Sequence, residues 1–417
     1  MKILSKALTA VAGVAAVSAA MITDVQAVPS FARQTGMACV SCHSGNYPGL
    51  NAFGRAFLTS GYTMRGAAPL VEGEDLSIPA DLKMALITKI RYELSDAVDG
   101  GRGEVQWPDE AAFLVGGRVA ENIGFLSEVA LAAQDVDLAT DKTNGNFLSF
   151  KTHFNVTPNV AVVMYGTDAL GIGYGMELMN TGLKRSQRPI ENRRGMSAFH
   201  RMYFPTGKNS SGIGSGAATG LAVAYHDNDM MVSYAQWAPT YGNVNANIFG
   251  GLAGYVRANY FMNIAGWDMG AGLAWTDGTI KTGATDPASE TYVSSTGIDF
   301  QAIGDLGTIP SEFYVSYAQA PKSTASKTNE FNGSLTDDTS AFALMGKFYV
   351  APRTSVYLAY GDTNQGDSNT RTETTIGAQY MLAQNIKLEL FNVGYSSDST
   401  NIDGRHDYSM LMLFSGF

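Results

Sequence analysis

From residue 82 to the C-terminus, apolar and polar side chains alternate with a period of two, the pattern of strands whose two faces meet different surroundings. In "GWDMGAGLAWT" Trp267, Met269, Ala271, Leu273 and Trp275 share one face, opposite Asp268, Gly270, Gly272, Ala274 and Thr276. In "FLSFKTHFNV" Leu148, Phe150, Thr152, Phe154 and Val156 oppose Ser149, Lys151, His153 and Asn155. "SAFALMGKFYV" and "TETTIGAQYML" repeat the arrangement. Sixteen segments fit it, near 82–93, 111–121, 124–134, 146–156, 160–168, 217–226, 230–238, 250–262, 266–276, 292–302, 311–320, 340–350, 354–363, 372–382, 386–396 and 407–417.

The connections have their own rhythm. Every second one is long: 94–110, 135–145, 169–216, 239–249, 277–291, 321–339, 364–371 and 397–406. The others are as short as Asn122-Ile123 or Asp227-Asn228-Asp229. Strands of about ten residues, apolar outside and polar inside, with short turns at one end and long loops at the other, predict an all-β, outer-membrane antiparallel β-barrel. An even strand number puts both barrel termini on the periplasmic side, and a terminal aromatic such as Phe417 suits the class. A soluble β-sandwich or propeller explains the alternation but not the loop rhythm. The last segment departs from the pattern, because both faces of "YSMLMLF" are apolar.

The residues before 82 read differently. Lys2 and Lys6, the apolar run from Ala7 to Ile22 and Val25-Gln26-Ala27 have the form of a signal peptide, 1–27, with the mature chain starting at Val28. Residues 28–65 form a small, mostly helical segment, and "GAAPLVEGEDLSIPAD" (66–81) is a linker rich in Pro, Gly and acidic residues. The barrel then occupies 82–417. No later apolar run is long enough to cross a bilayer as a helix. Only 16% of residues are charged, while Gly totals 46 and Tyr and Phe 20 each, a composition suited to β-structure in contact with lipid. The net charge of −10 argues against a nucleic-acid partner.

Both cysteines of the chain fall in Cys39-Val40-Ser41-Cys42-His43, a C-x-x-C-H motif, so no disulfide framework is available. Thiols three residues apart reach the two vinyl groups of one porphyrin, and the following imidazole ligates its iron. The motif therefore predicts one covalently attached haem c, with Cys39 and Cys42 as attachment points and His43 as axial ligand. Covalent attachment matters because so short a segment cannot bury a core that holds haem by packing. A thioredoxin-like pair needs a βαβ setting, and a zinc site needs more Cys or His nearby. For the sixth iron ligand, Met64 in "GYTM" lies about twenty residues downstream, where Met/His ligation raises the potential. His153, on the lumenal face of its strand, and His200, in the third long loop, are the alternatives.

That third loop, 169–216, carries seven basic residues from Lys184 to Lys208 against Glu177 and Glu191. It either folds into the lumen, with arginines facing acids there, or remains a solvated basic loop. Acidic pairs such as Asp109-Glu110 and Asp135 with Asp137 read as solvated charge. "GIGSG" (212–216) lacks the strand-to-helix setting of a phosphate loop, and no nucleophile–base constellation is evident.

"FARQTGMACVSCH", followed by "YPGLNAFGRAF" and "GY", resembles the amino-terminal cytochrome segment of the fused outer-membrane cytochrome–porins of Fe(II)-oxidising bacteria. The likeness covers residues 29–64, where Arg33, Pro48 and Phe53 also match the pattern around the motif. The resemblance implies an outer-membrane protein that takes electrons from extracellular Fe(II) and passes them through haem c to a periplasmic c-type cytochrome, an Fe(II) oxidase of the cytochrome type. Another donor or acceptor, or reversed electron flow, fits the same residues, and the oligomeric state is left open. Two rival classes remain: a porin whose haem segment is a plug or redox gate, and a haem enzyme such as a peroxidase, which needs an open sixth position.

Overall fold

The computed structural model describes residues 30–43, 49–66, 69–74, 77–80, 84–95, 103–133, 147–167, 189–202, 218–241, 245–246, 251–281, 290–364, 370–383, 385–397 and 407–416. The signal peptide, Val28, Pro48, Phe417, Asp135 and Asp137, "GIGSG", Glu177 and the basic residues Lys184, Arg185, Arg188 and Lys208 lie outside these residues.

Among the described residues the amino-terminal part contains α1 (Ser30–Thr35), a 3₁₀ turn (Cys39–Ser41) and α2 (Ala52–Thr59). Within the expected linker, Leu70–Glu72 and Ser77–Pro79 pair as a small antiparallel ribbon. The rest is a closed antiparallel barrel of sixteen long strands. They are β1 (Met84–Ser95), β2 (Gly103–Ala120), β3 (Ile123–Ala133), β4 (Phe147–Thr157), β5 (Val160–Thr167), β6 (Ala218–His226), β7 (Met230–Tyr241) and β8 (Ala253–Ile264). There follow β9 (Trp267–Lys281), β10 (Glu290–Leu306), β11 (Ile309–Ala320), β12 (Thr339–Ala351), β13 (Thr354–Asn364), β14 (Thr370–Ala383), β15 (Ile386–Ser397) and β16 (Tyr408–Gly416). β16 pairs with β1, Leu411 opposite Tyr92, and this seam closes the barrel.

Each of the sixteen periodic segments is a strand, and several run further than the periodicity reached. β2 begins at Gly103 rather than 111 because its ladder with β1 continues as far as Leu94 opposite Gly103. The extension carries "GEVQWPDE", whose polar residues leave no clear alternation to read.

The two faces of the wall differ as the pleat requires. Leu273, Trp275, Ile298, Phe300 and Ile376 point outward and are exposed, whereas Lys89, Lys151, Arg257, Glu373 and Glu389 point inward and are buried. Several buried inward charges are paired. Arg257 makes two 2.8 Å bonds to the Asp299 carboxylate, and Lys89 lies 3.1 Å from Glu110.

Part of the third long connection lies inside this polar lumen. Two single-turn helices, α3 (Arg193–Met196) and α4 (Ala198–Arg201), pack against β11–β14. The Pro189 carbonyl accepts from Gln379 at 2.8 Å, and the Glu191 amide donates to Glu389 at 2.8 Å. Arg201, fully buried, donates to Thr363 Oγ1 at 2.6 Å and to Glu373 Oε2 at 3.1 Å. Glu191 in turn pairs with Arg91 and Lys89 of β1. Of the two readings of this loop, residues 189–202 follow the lumenal one.

Arg201→Met should test how this segment is held. It leaves the Glu373 carboxylate buried without its cation, at a cost of about 3–5 kcal/mol. The expected outcome is a lower urea midpoint for the detergent-solubilised barrel, largely recovered on adding Glu373→Gln. An unchanged midpoint would mean that apolar contacts alone seat the segment.

Candidate functional site

The amino-terminal segment sits in the mouth of the barrel at its short-turn end. Arg55 of α2 forms a two-pronged pair with Asp268, at 2.9 and 2.8 Å, just after the 265–266 turn. The same guanidinium stands 4.3 Å above the Phe261 ring. Arg33 of α1 donates to the Met84 carbonyl at the start of β1. Asn155, next to the 158–159 turn, donates to the Ser60 carbonyl at 2.8 Å. Buried Gln34 joins three pieces: it donates to the carbonyls of Tyr62 (2.6 Å) and Met64 (2.7 Å) and accepts from the Arg118 amide of β2 (3.1 Å). Gly61, at φ +68°, lies so close to His153 and Gly124 that a β-carbon at either glycine would overlap the other chain segment.

Within this plug the motif adopts one tight turn. The amides of Cys42 and His43 both donate to the Cys39 carbonyl, at 3.0 and 2.9 Å. Asn51, the cap of α2, fastens the helix to that turn. Its side-chain oxygen accepts from the Gly54 amide, its side-chain NH₂ donates to the Ser41 carbonyl at 3.1 Å, and its own amide donates to the Cys42 carbonyl at 3.0 Å. A β-carbon at Gly54 would overlap the Cys42 carbonyl, so helix and turn meet backbone to backbone. His43 Nδ1 lies 3.2 Å from the Gly49 carbonyl. A carbonyl only accepts, so Nδ1 carries the proton and the lone pair of the neutral ring belongs to Nε2.

Cys39, Cys42 and His43 line one cavity that opens to solvent, about 1120 Å³ when the open space at its mouth is counted. From the plug it is lined by Phe31, Phe57 and Tyr62, whose rings pack with centroids 4.9 to 5.8 Å apart. The barrel contributes Ala85 and Ile87 of β1, Leu114 of β2, Leu126 of β3 and Phe414 of β16. These are inward positions. On β1 the next inward residue after Ile87 is Lys89, and on β3 the next after Leu126 is Glu128, both fully buried. The inner wall is thus apolar beside the plug and polar one pleat further in. The doubly apolar last strand has its explanation here: Met412 and Phe414 pack with Ala85, Ile87 and Leu114 beneath the cavity. Burial, reinforced by the neighbouring Cys39, pushes the Cys42 thiol above its ordinary pKa.

The remaining predicted residues are placed apart from this cavity. Met64 packs against Phe57, Tyr62 and Leu126 and is not among the lining residues. His153 does face inward, buried edge-to-face on Tyr62 at 5.5 Å, also outside the lining. His200 is buried on α4, its amide donating to Ser197 Oγ, among groups that pack on β11–β13. Arg33 anchors the plug and Phe53 is exposed, so neither lines the cavity. Residues that the sequence did not single out are Met37, which lines the cavity, and the clamps Gln34 and Asn51. Only the apolar inner face of β16 carried a signal in advance.

No family model matches the chain, and no curated protein matches it. Among solved structures it is similar to OmpT, an outer membrane protein of Vibrio cholerae, at 10% identity, covering 84% of this chain and 100% of that one, with a TM-score of 0.48. It is also similar to a porin refined at 1.8 Å (14% identity, 81% and 100% covered, TM-score 0.46). A further similarity is to the outer membrane protein OpdK of Pseudomonas aeruginosa (13% identity, 80% and 98% covered, TM-score 0.45). The closed barrel stands on its own strand pairing, independent of these likenesses.

Arg55→Ala should loosen the plug by about 1.5–3 kcal/mol, the worth of hydrogen bonds to a charged group. Amide exchange within 30–66 should then accelerate while the barrel strands stay protected; equal protection in both proteins would remove Arg55 as an anchor. In protein with unmodified thiols, Cys42 should react with iodoacetamide more slowly than free cysteine at mildly alkaline pH, because a raised pKa leaves less thiolate. The rate should climb as pH rises; a rate equal to that of free cysteine would contradict the burial.

Proposed function

We propose that this chain is an outer-membrane electron-transfer protein carrying one haem c, attached through Cys39 and Cys42 and ligated by His43, in the cavity at the short-turn mouth. One observation supports the reading: both thiols and the imidazole line the same apolar cavity, a third of whose lining residues belong to the barrel. The donor set fits the group. Cys39 and Cys42 would hold the group through thioether bonds, each thiol adding its S and H across one vinyl with nothing released. His43, its Nδ1–H directed to the Gly49 carbonyl, offers the basic nitrogen that iron takes, with the ring orientation fixed by a backbone partner. When bound, haem supplies a one-electron Fe(III)/Fe(II) couple. The chain's own task is to hold and tune it: Ile87, Leu114, Leu126 and Phe414 exclude water from the wall side.

The outward apolar side chains of the barrel and its polar interior suit a span of outer-membrane lipid. The short-turn end, which holds the plug, then faces the periplasm, where a c-type cytochrome approaches Cys39 and the exposed Val40. Extracellular Fe(II), entering from the loop end, is the proposed donor; its identity rests on the cytochrome–porin resemblance. A second reading, a porin with a haem plug, draws on the polar lumen and its inward segment 189–202.

Purified protein in detergent should show covalent haem in a denaturing gel, and its spectrum should report haem reduction on stopped-flow mixing with Fe(II). Cys39→Ala with Cys42→Ala should abolish the covalent haem. Absence of covalent haem in the unaltered protein would sink the electron-transfer reading. Haem that Fe(II) fails to reduce would remove this donor alone. Liposome conductance that follows haem oxidation state, without reduction by Fe(II), would favour the porin.

A further inference from the structure

The bond that orients His43 ends on a backbone carbonyl, and the barrel stands directly behind it. Gly49 accepts from His43 Nδ1, and the next residue, Leu50, pairs with His43 as an isolated antiparallel bridge. From the plug side Arg55 holds this stretch, donating to the Leu50 carbonyl at 3.2 Å while it pairs with Asp268. From the wall, β11 presents two inward residues two positions apart, Glu312 and Tyr314, both fully buried. A β-carbon at Gly49 would stand 3.5 Å from the Tyr314 hydroxyl and 3.8 and 3.9 Å from the two Glu312 carboxylate oxygens. These are ordinary contact distances, so the glycine rests against this pair without strain.

The pair is itself held in place. Tyr314 donates to Glu312 Oε2 at 2.9 Å, and Tyr349 of β12 donates to Oε1, so both carboxylate oxygens are engaged. Lys347, opposite Glu312 in the β11–β12 register, is buried as well. The Tyr314 ring belongs to the apolar cluster that includes Ile190 and Met196 of the lumenal segment. Burying a carboxylate is costly even when it is bonded, and strand pairing alone does not call for one at this register.

We propose that Glu312 and Tyr314 are positioning residues for the axial imidazole: acting through Gly49, the barrel wall fixes the His43 ring and places a carboxylate on its side of the cavity. The inference rests on the haem reading and deepens it, because it makes the ligand's setting a joint product of plug and barrel. A firmly placed acceptor on Nδ1–H makes an imidazole a stronger donor through its other nitrogen. A buried carboxylate nearby favours the oxidised form of haem, which carries one more positive charge. Both effects lower the reduction potential, and both reach the site from the wall.

The test uses the full-length holoprotein in detergent micelles, comparing the unaltered chain with Glu312→Gln and Tyr314→Phe. Tyr357→Phe serves as control, since it removes an equally buried phenol that donates to a different carboxylate, Glu389, at 2.7 Å. Covalent haem is quantified first, then the potential by spectroelectrochemistry and the oxidised spectrum by electron paramagnetic resonance. Equal haem content is expected throughout. The potential should shift upward in Glu312→Gln, the resonance positions should move in Tyr314→Phe, and neither should change in Tyr357→Phe. A potential unmoved in Glu312→Gln, resonance positions unmoved in Tyr314→Phe, or an equal change in Tyr357→Phe would overturn the inference. Tyr314→Phe keeps the ring in its apolar cluster, so it carries the test if Glu312→Gln fails to fold. An unaltered protein with no covalent haem would instead defeat the underlying haem reading, which separates the two failures.

Discussion

The contact between the plug and a small apolar area of the inner wall is the interaction on which the rest depends. Residues 28–65 supply too little chain to bury a cavity by themselves. Phe31, Phe57 and Tyr62 make one side of it, and Ile87, Leu114, Leu126 and Phe414 make the other. Topology determines where that area lies. The plug is joined to β1 by residues 66–83, and its apolar side meets the wall around the seam where β1 meets β16. Beside the plug the inward apolar residues lie on β16, β1, β2 and β3 at their short-turn ends, while larger apolar clusters elsewhere on the wall include Phe199, Ile190 and Met196 of the lumenal segment. A barrel interior is otherwise polar, and here it is apolar where it has a segment to cover.

Fixing the plug takes polar bonds as well, because apolar contact alone sets no direction. Arg55 with Asp268, Asn155 with Ser60 and Gln34 with Arg118 fall on different parts of the rim, so tilting the plug breaks at least one. The lumenal segment 189–202 follows the same logic through Arg201 with Glu373 and Glu191 with Arg91. Buried ion pairs add little net stability, yet separating one is expensive, so they specify position more than they strengthen the fold.

How much of this was legible depended on what each signal reports. Alternation records which side chains face in and which face out, and it located all sixteen strands. It does not record what lies on the inner side: Ile87 and Lys89 occupy equivalent pleat positions on β1, one against the plug and the other in an ion pair. Only β16, with Met412 and Phe414 inward beside the outward Leu411, broke the pattern openly enough to notice. The C-x-x-C-H spacing is local chemistry and survives without a structure. The placement of Met64 depends on the fold instead. Its distance along the chain allows it to reach the motif, but Gln34 holds the carbonyls of Tyr62 and Met64 against α1, and the side chain joins the packing of Phe57 and Leu126. Gln34 and Asn51 were invisible for a related reason: a single amide side chain has no pattern, and its partners are remote in sequence or are backbone atoms.

On the proposed reading, the position of the plug also bears on why a barrel would accompany one haem. Bilayer hydrocarbon is about 30 Å thick, and the cavity lies at the short-turn end, so on that reading an outside donor would come down the lumen. A tube open at both ends would let that donor pass through the membrane. Anchors spread from Met84 to Asp268 instead hold the plug across the mouth, while the charged groups of the wall continue above it. On the proposed reading the barrel is therefore a cup: open to small cations from the loops, closed at its base by the redox centre, and arranged so that electrons continue where solutes stop. The same geometry explains why the wall contributes to the site at all. A group bound at the base of a cup meets the barrel on one side and the plug on the other, and each provides part of its apolar cover.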